Sequence, residues 1–345
     1  ANTAAHATGV DTQLVDLSAN RTYAITVVNV NSAGMESAAS SSRNETTLPL
    51  APTLSASSTA STTSSVNFDV ANGNENGSLA ISGYKVTHNP TESITQPVAK
   101  TPANTAADAT GVDTQLTGLE ANKTYTITCV NVGSGGDSAS SSSTTVTTLP
   151  VAPGLDSSST ANTTSTINVD ISNNNANGTL AITKNVLSYT PNGGSTSTVD
   201  KNSSGAADAA NVDTQITGLA ANTQYSITAT NVGVGGTSAA SAARTEYTLP
   251  AAPTFTESSK NTNSITISIN NNNPSGSQNI SRYEVNVDGA SQFGIVNLTA
   301  NATGNSYVIT SLSAGTTYAI KVLVRNANSD DSAYSGVTNI TTDSE

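Results

Sequence analysis

The stretch Leu119–Val132, L-E-A-N-K-T-Y-T-I-T-C-V-N-V, decides the fold. Its apolar side chains fall at every second position: Tyr125, Ile127 and Cys129 point one way, Thr124, Thr126 and Thr128 the other. Successive side chains of an extended chain point to opposite faces, so this alternation predicts a β-strand with one buried face. Thr, Ile, Val and Tyr also fit a pleated surface better than a helix.

The stretch recurs as L-S-A-N-R-T-Y-A-I-T-V-V-N-V from Leu17 and as L-A-A-N-T-Q-Y-S-I-T-A-T-N-V from Leu219. A diverged copy, L-S-A-G-T-T-Y-A-I-K-V-L-V-R, starts at Leu312. The block before it repeats too, with 14 of 17 positions identical between residues 1–17 and 103–119. Repeats close on L-P-x-A-P, with first prolines Pro49, Pro150 and Pro250. A period near 100 residues is the length of a domain, not of a solenoid rung. The expected segments are residues 1–48, which hold only the second half of a repeat, then 49–149, 150–249 and a diverged 250–345. The chain starts at Ala1, so it reads as a processed product or as part of something longer.

Other strands alternate in the same way, for example Ile265, Ile267 and Ile269, or Tyr283, Val285 and Val287. Between them lie Asn- and Gly-rich turns, N-G-N-E-N-G from Asn72, N-N-N-A-N-G from Asn173 and N-N-N-P-S-G from Asn271. About seven short strands per repeat predict an all-β array of two-sheet sandwiches.

Composition removes several classes of function. Of 345 residues, 35% are hydrophobic, 10% charged and 4% aromatic, with no Trp, whereas Ser plus Thr reach about 30% and Asn about 11%. A net charge of −12 with only 12 basic residues leaves no cationic stripe for nucleic acid. No apolar run approaches the roughly 20 residues of a membrane-spanning helix. One Cys and two His exclude a disulfide framework and a thiolate metal cluster.

The L-x-A-N-x-T-Y-x-I block, the Ser-rich strand after it and the L-P-x-A-P linker resemble tandem fibronectin type III domains. The resemblance spans essentially the whole chain and implies a tyrosine corner, in which a Tyr hydroxyl bonds backbone just upstream, at Tyr23, Tyr125, Tyr225 and Tyr318. The family's strand C pattern stands around Tyr84 and Tyr283, while the middle repeat has Asn185 in that place. Where the family carries a core Trp, this chain has Val70, Ile171 and Ile269, which implies smaller cores of modest stability.

Candidate sites are sparse. Eleven N-x-S/T sequons are candidate N-glycan acceptors: Asn20, Asn44, Asn76, Asn122, Asn162, Asn177, Asn202, Asn279, Asn297, Asn301 and Asn339. So Asn-, Ser- and Thr-rich a chain produces about that number by chance, and only the recurring pairs Asn20/Asn122 and Asn76/Asn177 rise above it. The run S-A-S-S-S-S-T-T-V-T-T from Ser138 has O-glycan-like composition, with plain solvent-facing hydroxyls as the simpler reading. Asp11, Asp108, Asp113, Asp208 and Asp213 lack the D-x-D-x-D clustering of a calcium site. Cys129 falls on the core side of its strand, His6 is replaced by Asp108 in the next copy, and His88 has no acid partner. No catalytic, cofactor-binding or metal-binding set is expected, and no enzyme.

The expected function is therefore structural: an extracellular or cell-surface fibre, stalk or sheath, glycosylated or hydrated, assembled head-to-tail. An adhesin or carbohydrate-binding array, and the spacer of a larger secreted hydrolase, are the alternatives. A half sandwich over residues 1–48 would expose an apolar face and an unpaired edge. Either a preceding half lies upstream, or another molecule supplies the missing strands and so polymerises the chain.

Overall fold

Every regular element is a strand among the residues that the computed structural model describes, which are 12–57, 60–74, 78–89, 98–100, 112–176, 179–202, 212–298 and 303–345. Contacts gather them into two units, Ala1–Pro150 with Val234–Gly236, and Val151–Gly233 with Thr237–Glu345.

The first unit opens with β1 (Thr22–Ile25) and β2 (Arg43–Thr46), which pair only with each other. A full sandwich follows, comprising β3 (Thr53–Ala56), β4 (Ser65–Ala71), β5 (Gly83–Asn89), β6 (Val98–Lys100), β7 (Val112–Thr117), β8 (Thr124–Gly133), β9 (Gly136–Asp137) and β10 (Thr144–Thr147). Its sheets run β3-β4-β7 and β10-β8-β5-β6, with β9 beside β8.

The second unit holds two more. One is built from β11 (Gly154–Ser157), β12 (Thr166–Ser172), β13 (Lys184–Pro191), β14 (Ser197–Asn202), β15 (Val212–Thr217), β16 (Gln224–Gly233), β17 (Gly236–Thr237) and β18 (Arg244–Tyr247). The other is built from β19 (Thr254–Lys260), β20 (Ser264–Asn270), β21 (Ile280–Val287), β22 (Ala290–Leu298), β23 (Asn305–Thr310), β24 (Thr317–Asn326) and β25 (Thr338–Thr341). Their three-stranded sheets are β11-β12-β15 and β19-β20-β23, and their larger sheets centre on β13-β16 and β21-β24.

The period-two pattern places the cores. Val66, Phe68 and Val70 of β4 meet Tyr84 and Val86 of β5 and Tyr125, Ile127 and Cys129 of β8. The third sandwich packs Ile265, Ile267 and Ile269 against Tyr283, Val285, Ile320 and Val322 in the same way. Val70, Ile171 and Ile269, at the family's Trp position, are all core residues. Burial pushes the Cys129 thiol up to about 12, and it raises the Tyr84 and Tyr283 phenols as well. His88, on β5, is buried with its ring edge-on to Tyr125 at 5.6 Å, so it is a core residue.

All four tyrosine corners form with one geometry. The hydroxyls of Tyr23, Tyr125, Tyr225 and Tyr318 accept from the backbone N–H five residues upstream, at 2.9, 2.9, 2.9 and 2.7 Å. The Ser-rich strand is likewise explained by hydrogen bonding. Ser138 and Ser141 hydroxyls accept the N–H groups of Asn131 and Cys129, while their own N–H groups donate to the carbonyls of those residues. Ser37 and Ser40, Ser238 and Ser241, and Ser332 and Ser335 do the same. The Ser138 and Ser141 hydroxyls are thus bound to the backbone of the neighbouring strand rather than facing solvent.

Two predictions follow from the core. Tyr125→Phe should cost about 1 kcal/mol through the lost corner hydrogen bond, read as a lowered denaturation midpoint; an unchanged midpoint would contradict the corner's role. Cys129 should resist an aromatic disulfide reagent at pH 8 and react fully in denaturant, because only the buried, protonated thiol is compatible with the fold. Reaction at the same rate in both conditions would show the assignment to be wrong.

Candidate functional site: the junctions between sandwiches

Asparagines in left-handed backbone recur before the corner-tyrosine strand, and two of them, Asn20 and Asn222, join a sandwich to the next within one unit. Asn20, Asn122 and Asn222 occupy one repeat position, just before the strand that carries the corner tyrosine, with φ of 52°, 55° and 54°. Asn is among the few side chains that tolerate this region, because its short amide can bond locally. All three are fully buried.

Within the first unit, Asn20 lies at the edge of the half repeat and reaches into the sandwich after it. The Leu79 N–H donates to the Asn20 carbonyl at 2.9 Å, and the Asn20 side-chain nitrogen donates to the Leu79 carbonyl and, at 3.5 Å, to Ser78 Oγ. Within the second unit, Asn222 repeats the arrangement. The Gln278 N–H donates to the Asn222 carbonyl at 3.0 Å, and Asn222 Nδ2 donates to the Gln278 carbonyl at 2.6 Å and Ser277 Oγ at 3.3 Å. Asn326 Nδ2 completes the set by donating to Asn222 Oδ1 at 3.1 Å. The equivalent of Asn326 in the first unit is Gly133, so Asn20 Oδ1 is buried without a donor.

A second amide cluster holds the linker. Leu50, Val151 and Ala251 follow the first proline of each L-P-x-A-P, and their N–H groups donate to Asn74, Asn175 and Asn273 Oδ1 at 2.9, 3.0 and 2.8 Å. Asn131 Nδ2 donates to both the Leu50 and Asn72 carbonyls at 2.8 Å, and Asn231 Nδ2 to Val151 and Asn173 at 2.9 and 2.7 Å. In the second sandwich Asn185, standing where the others have Tyr84 and Tyr283, donates to Asn231 Oδ1 at 2.7 Å. Linker backbone that would otherwise be buried without partners is thus satisfied by side-chain amides.

The Gly-rich loop after β8 is part of the first junction. A Cβ on Gly135 would stand 2.8 Å from the carbonyl oxygens of both Thr46 and Thr47, and one on Gly133 would stand 2.9 Å from the Pro49 ring. The glycines permit a close approach to the preceding segment. Gly133 and Gly135 of that loop are packed on the junction, while Ser134 and Asp137 are exposed.

The sequon asparagines differ in exposure. Asn20 is buried with its side-chain nitrogen donating, and Asn122 is equally buried. Asn162 is half-buried and donates to the Tyr247 carbonyl at 3.0 Å. Asn44, Asn279 and Asn339 are exposed. Asn202 lies at the end of β14 and Asn297 in β22. Asn76, Asn177 and Asn301 lie outside the described residues, as do His6, Asp11, Asp108 and Asp208. Asp113 and Asp213 sit in β7 and β15, opposite Asp69 and Asp170. Among the described residues no group of three or more His, Cys, Asp or Glu could hold a metal ion. Tyr334, the aromatic nearest a loop that could stack on sugar, has Lys321 Nζ 4.2 Å from its ring centre and its hydroxyl bonded to Glu284 at 2.5 Å.

With the geometry established, comparison with known proteins agrees. Residues 250–341 match the fibronectin type III domain family. The two sandwiches before them share the three-stranded sheet packed on a larger one, the tyrosine corner and the paired serines, so the chain is a tandem array of fibronectin type III-like sandwiches. A two-domain fibronectin type III segment of chicken tenascin is similar at 16% identity over 56% of this chain and 99% of that one, with a TM-score of 0.36. The FN1–FN3 domains of chicken CNTN1 are similar at 14% identity over 86% of this chain and 99% of that one, with a TM-score of 0.25. No curated protein matches the chain.

The junction is testable through Asn222. Asn222→Gly keeps the left-handed backbone and removes the amide, which should weaken the coupling of its two sandwiches by about 1 kcal/mol. Asn222→Ala should cost roughly 1 to 2 kcal/mol more, because a Cβ is disfavoured at positive φ. Calorimetry should show the joint unfolding transition broadening or splitting in that order. Equal behaviour of the two variants and the parent chain would remove the amide from the junction.

Proposed function

We propose that the chain is a structural component of an extracellular or cell-surface assembly, a fibre, stalk or sheath in which tandem sandwiches are the building units and catalysis has no part. The observation that carries this reading is the buried left-handed Asn with its hydrogen bonds to the following sandwich, three at Asn20 and four at Asn222. A tethered array needs only a flexible linker, whereas a load-bearing or filamentous one needs neighbours held in a fixed relation. The four segments 1–48, 49–149, 150–249 and 250–345 are its repeats.

Support also comes from what the loops do. An adhesin or carbohydrate-binding array would offer its Asn-rich turns and Gly-rich loops to ligand, but here Asn72, Asn74 and Asn131 hold a linker and Gly135 packs on the preceding segment. Assembly of the array is head-to-tail self-association. Any covalent glycan belongs on exposed sequons such as Asn44, Asn279 and Asn339.

Negative-stain electron microscopy of material isolated from its natural source tests the reading. Uniform filaments with an axial repeat are expected, together with sugar on exposed sequons and none on Asn20 by mass spectrometry. Separate, freely jointed particles would overturn it in favour of a tethered binding array or a spacer.

A further inference from the structure

The hairpin turn between β13 and β14 carries the dipeptide Asn192–Gly193, within the stretch P-N-G-G from Pro191. Two bonds pin the turn: the Asn192 N–H donates to the Gln224 carbonyl at 2.9 Å, and the Gly194 N–H to the Pro191 carbonyl at 2.9 Å. Gly193 lies between them in left-handed backbone at φ 74°, which glycine adopts without steric cost. Left out of this bonding are the Asn192 side-chain amide and the Gly193 N–H. Neither has a hydrogen-bond partner among the described residues, and both residues are exposed.

Those two groups are the reacting pair of an intramolecular ring closure. The carbonyl carbon of an Asn side chain, Cγ, stands within reach of the next residue's backbone nitrogen, and a following glycine offers that nitrogen with no Cβ to obstruct it. The same dipeptide at Asn72–Gly73 is held differently. Asn72 is fully buried, its Oδ1 accepts the Asn74 N–H at 3.1 Å, and its carbonyl accepts the side-chain amides of Asn131 and Asn74. In the Asp288–Gly289 turn both groups are engaged, with the Gly289 N–H donating to Asn286 Oδ1 at 3.1 Å and the Ala319 N–H donating to Asp288 Oδ1 at 2.7 Å. Asn76–Gly77 and Asn177–Gly178 lie outside the described residues.

We infer that Asn192 is a site of spontaneous deamidation, a modification for which water is the only co-reactant. The Gly193 nitrogen attacks Asn192 Cγ. The new N–C bond forms as the Cγ–Nδ2 bond breaks, and Nδ2 leaves as ammonia with the proton given up by the Gly193 nitrogen. Water then opens the succinimide: addition at Cγ gives an aspartyl residue, and addition at the Asn192 backbone carbonyl gives an isoaspartyl one whose main chain is longer by a methylene. Nothing is oxidised or reduced in either step. Both products place a carboxylate where a neutral amide stood. Asn192 lines a cleft of about 270 Å³ together with Thr190, Gln224, Ser226 and Thr245, all neutral, so the new charge has no counterion there. Gln224 opens the corner-tyrosine strand two residues after Asn222, which sets the modification beside the second junction. The inference is independent of the assembling-array reading, because the chemistry needs only an exposed turn and time.

The test ages the intact chain in warm, mildly alkaline buffer, digests samples with an acid protease, under conditions that suppress further ring closure, and reads the peptides by mass spectrometry. The peptide with Asn192 should gain the mass of amide-to-acid conversion and separate into aspartyl and isoaspartyl forms, the latter accepting a methyl group from an isoaspartyl methyltransferase. The peptide with Asn72 should stay unchanged in the folded chain and convert in denaturant. Gly193→Ala should lose the conversion; an added Cβ there meets nothing within 4 Å, so only the positive φ opposes it. Asn192→Gln keeps the glycine and the turn and should lose the conversion as well, which covers the case of a Gly193→Ala chain that folds poorly. An Asn192 peptide that stays unchanged in the folded chain while converting in denaturant, equal conversion of Asn72 and Asn192 in the folded chain, or undiminished conversion in Gly193→Ala would each overturn the inference.

Discussion

One backbone conformation governs how these sandwiches are joined: the left-handed turn before the corner-tyrosine strand. The turn is needed by the sandwich itself, since it brings the chain round so that the tyrosine hydroxyl can reach the N–H five residues back. It also leaves the turn residue's carbonyl facing outward, to be met by the next sandwich. An Asn in that place adds a side-chain donor beside the carbonyl, and the pair reads both backbone groups of one residue, Leu79 or Gln278. The last repeat separates the two requirements. Gly315 keeps the left-handed backbone at φ 62° and the bond from its N–H to the Asp343 carbonyl at 2.9 Å, as Asn20 does to Leu48 and Asn222 to Leu249, but it carries no amide. The left-handed turn is thus common to all four repeats, whereas the amide that meets a following sandwich is seen at Asn20 and Asn222.

The unusual composition has the same origin. Side-chain amides and hydroxyls act as surrogate backbone wherever strands or linkers lack a regular partner: serines bracket the strand after the Gly-rich loop, and asparagines close over the linker. Each such bond contributes only about 0.5–1.5 kcal/mol net, but leaving its buried backbone partner unmet costs about 1–3 kcal/mol. The amides therefore fix geometry more than they add stability, and most of the stability remains with the aliphatic cores. Those cores lack Trp, and Phe68, Tyr84 and Tyr283 are among their largest fully buried side chains.

The all-β fold, the repeat period and the four corner tyrosines were legible in the sequence because each is a local pattern: alternation, recurrence, and a Tyr six residues after a Leu. The junctions were not. Asn72 and Asn74 stand in a turn-like stretch, and nothing local distinguishes an exposed turn amide from one that a linker folds over. Their role depends on Leu50, more than twenty residues earlier, and on Asn131, nearly sixty later. The Gly-rich loop was equally opaque, since glycine reports that something comes close without naming it. One clue was present: Asn at the position of Asn131 recurs on the core side of its strand, where an amide is out of place unless it is bonded.

The sequons at Asn20 and Asn122 show how a motif can arise from two independent structural needs. The Asn is held by the left-handed junction. The Thr two residues on begins the tyrosine strand, where Thr22 and Thr124 hydroxyls meet Thr46 and Thr147 across the sheet at 2.9 and 3.0 Å. The third copy replaces that Thr by Gln224 and so loses the sequon, yet it keeps Asn222 with its left-handed backbone, its burial and its bonds to the next sandwich. The fourth keeps the hydroxyl pair, Thr317 to Thr341 at 2.8 Å, and loses the Asn. Where the two residues vary they vary separately, as they must if one serves the junction and the other the sheet, and a demand for glycan at this position would have required both together.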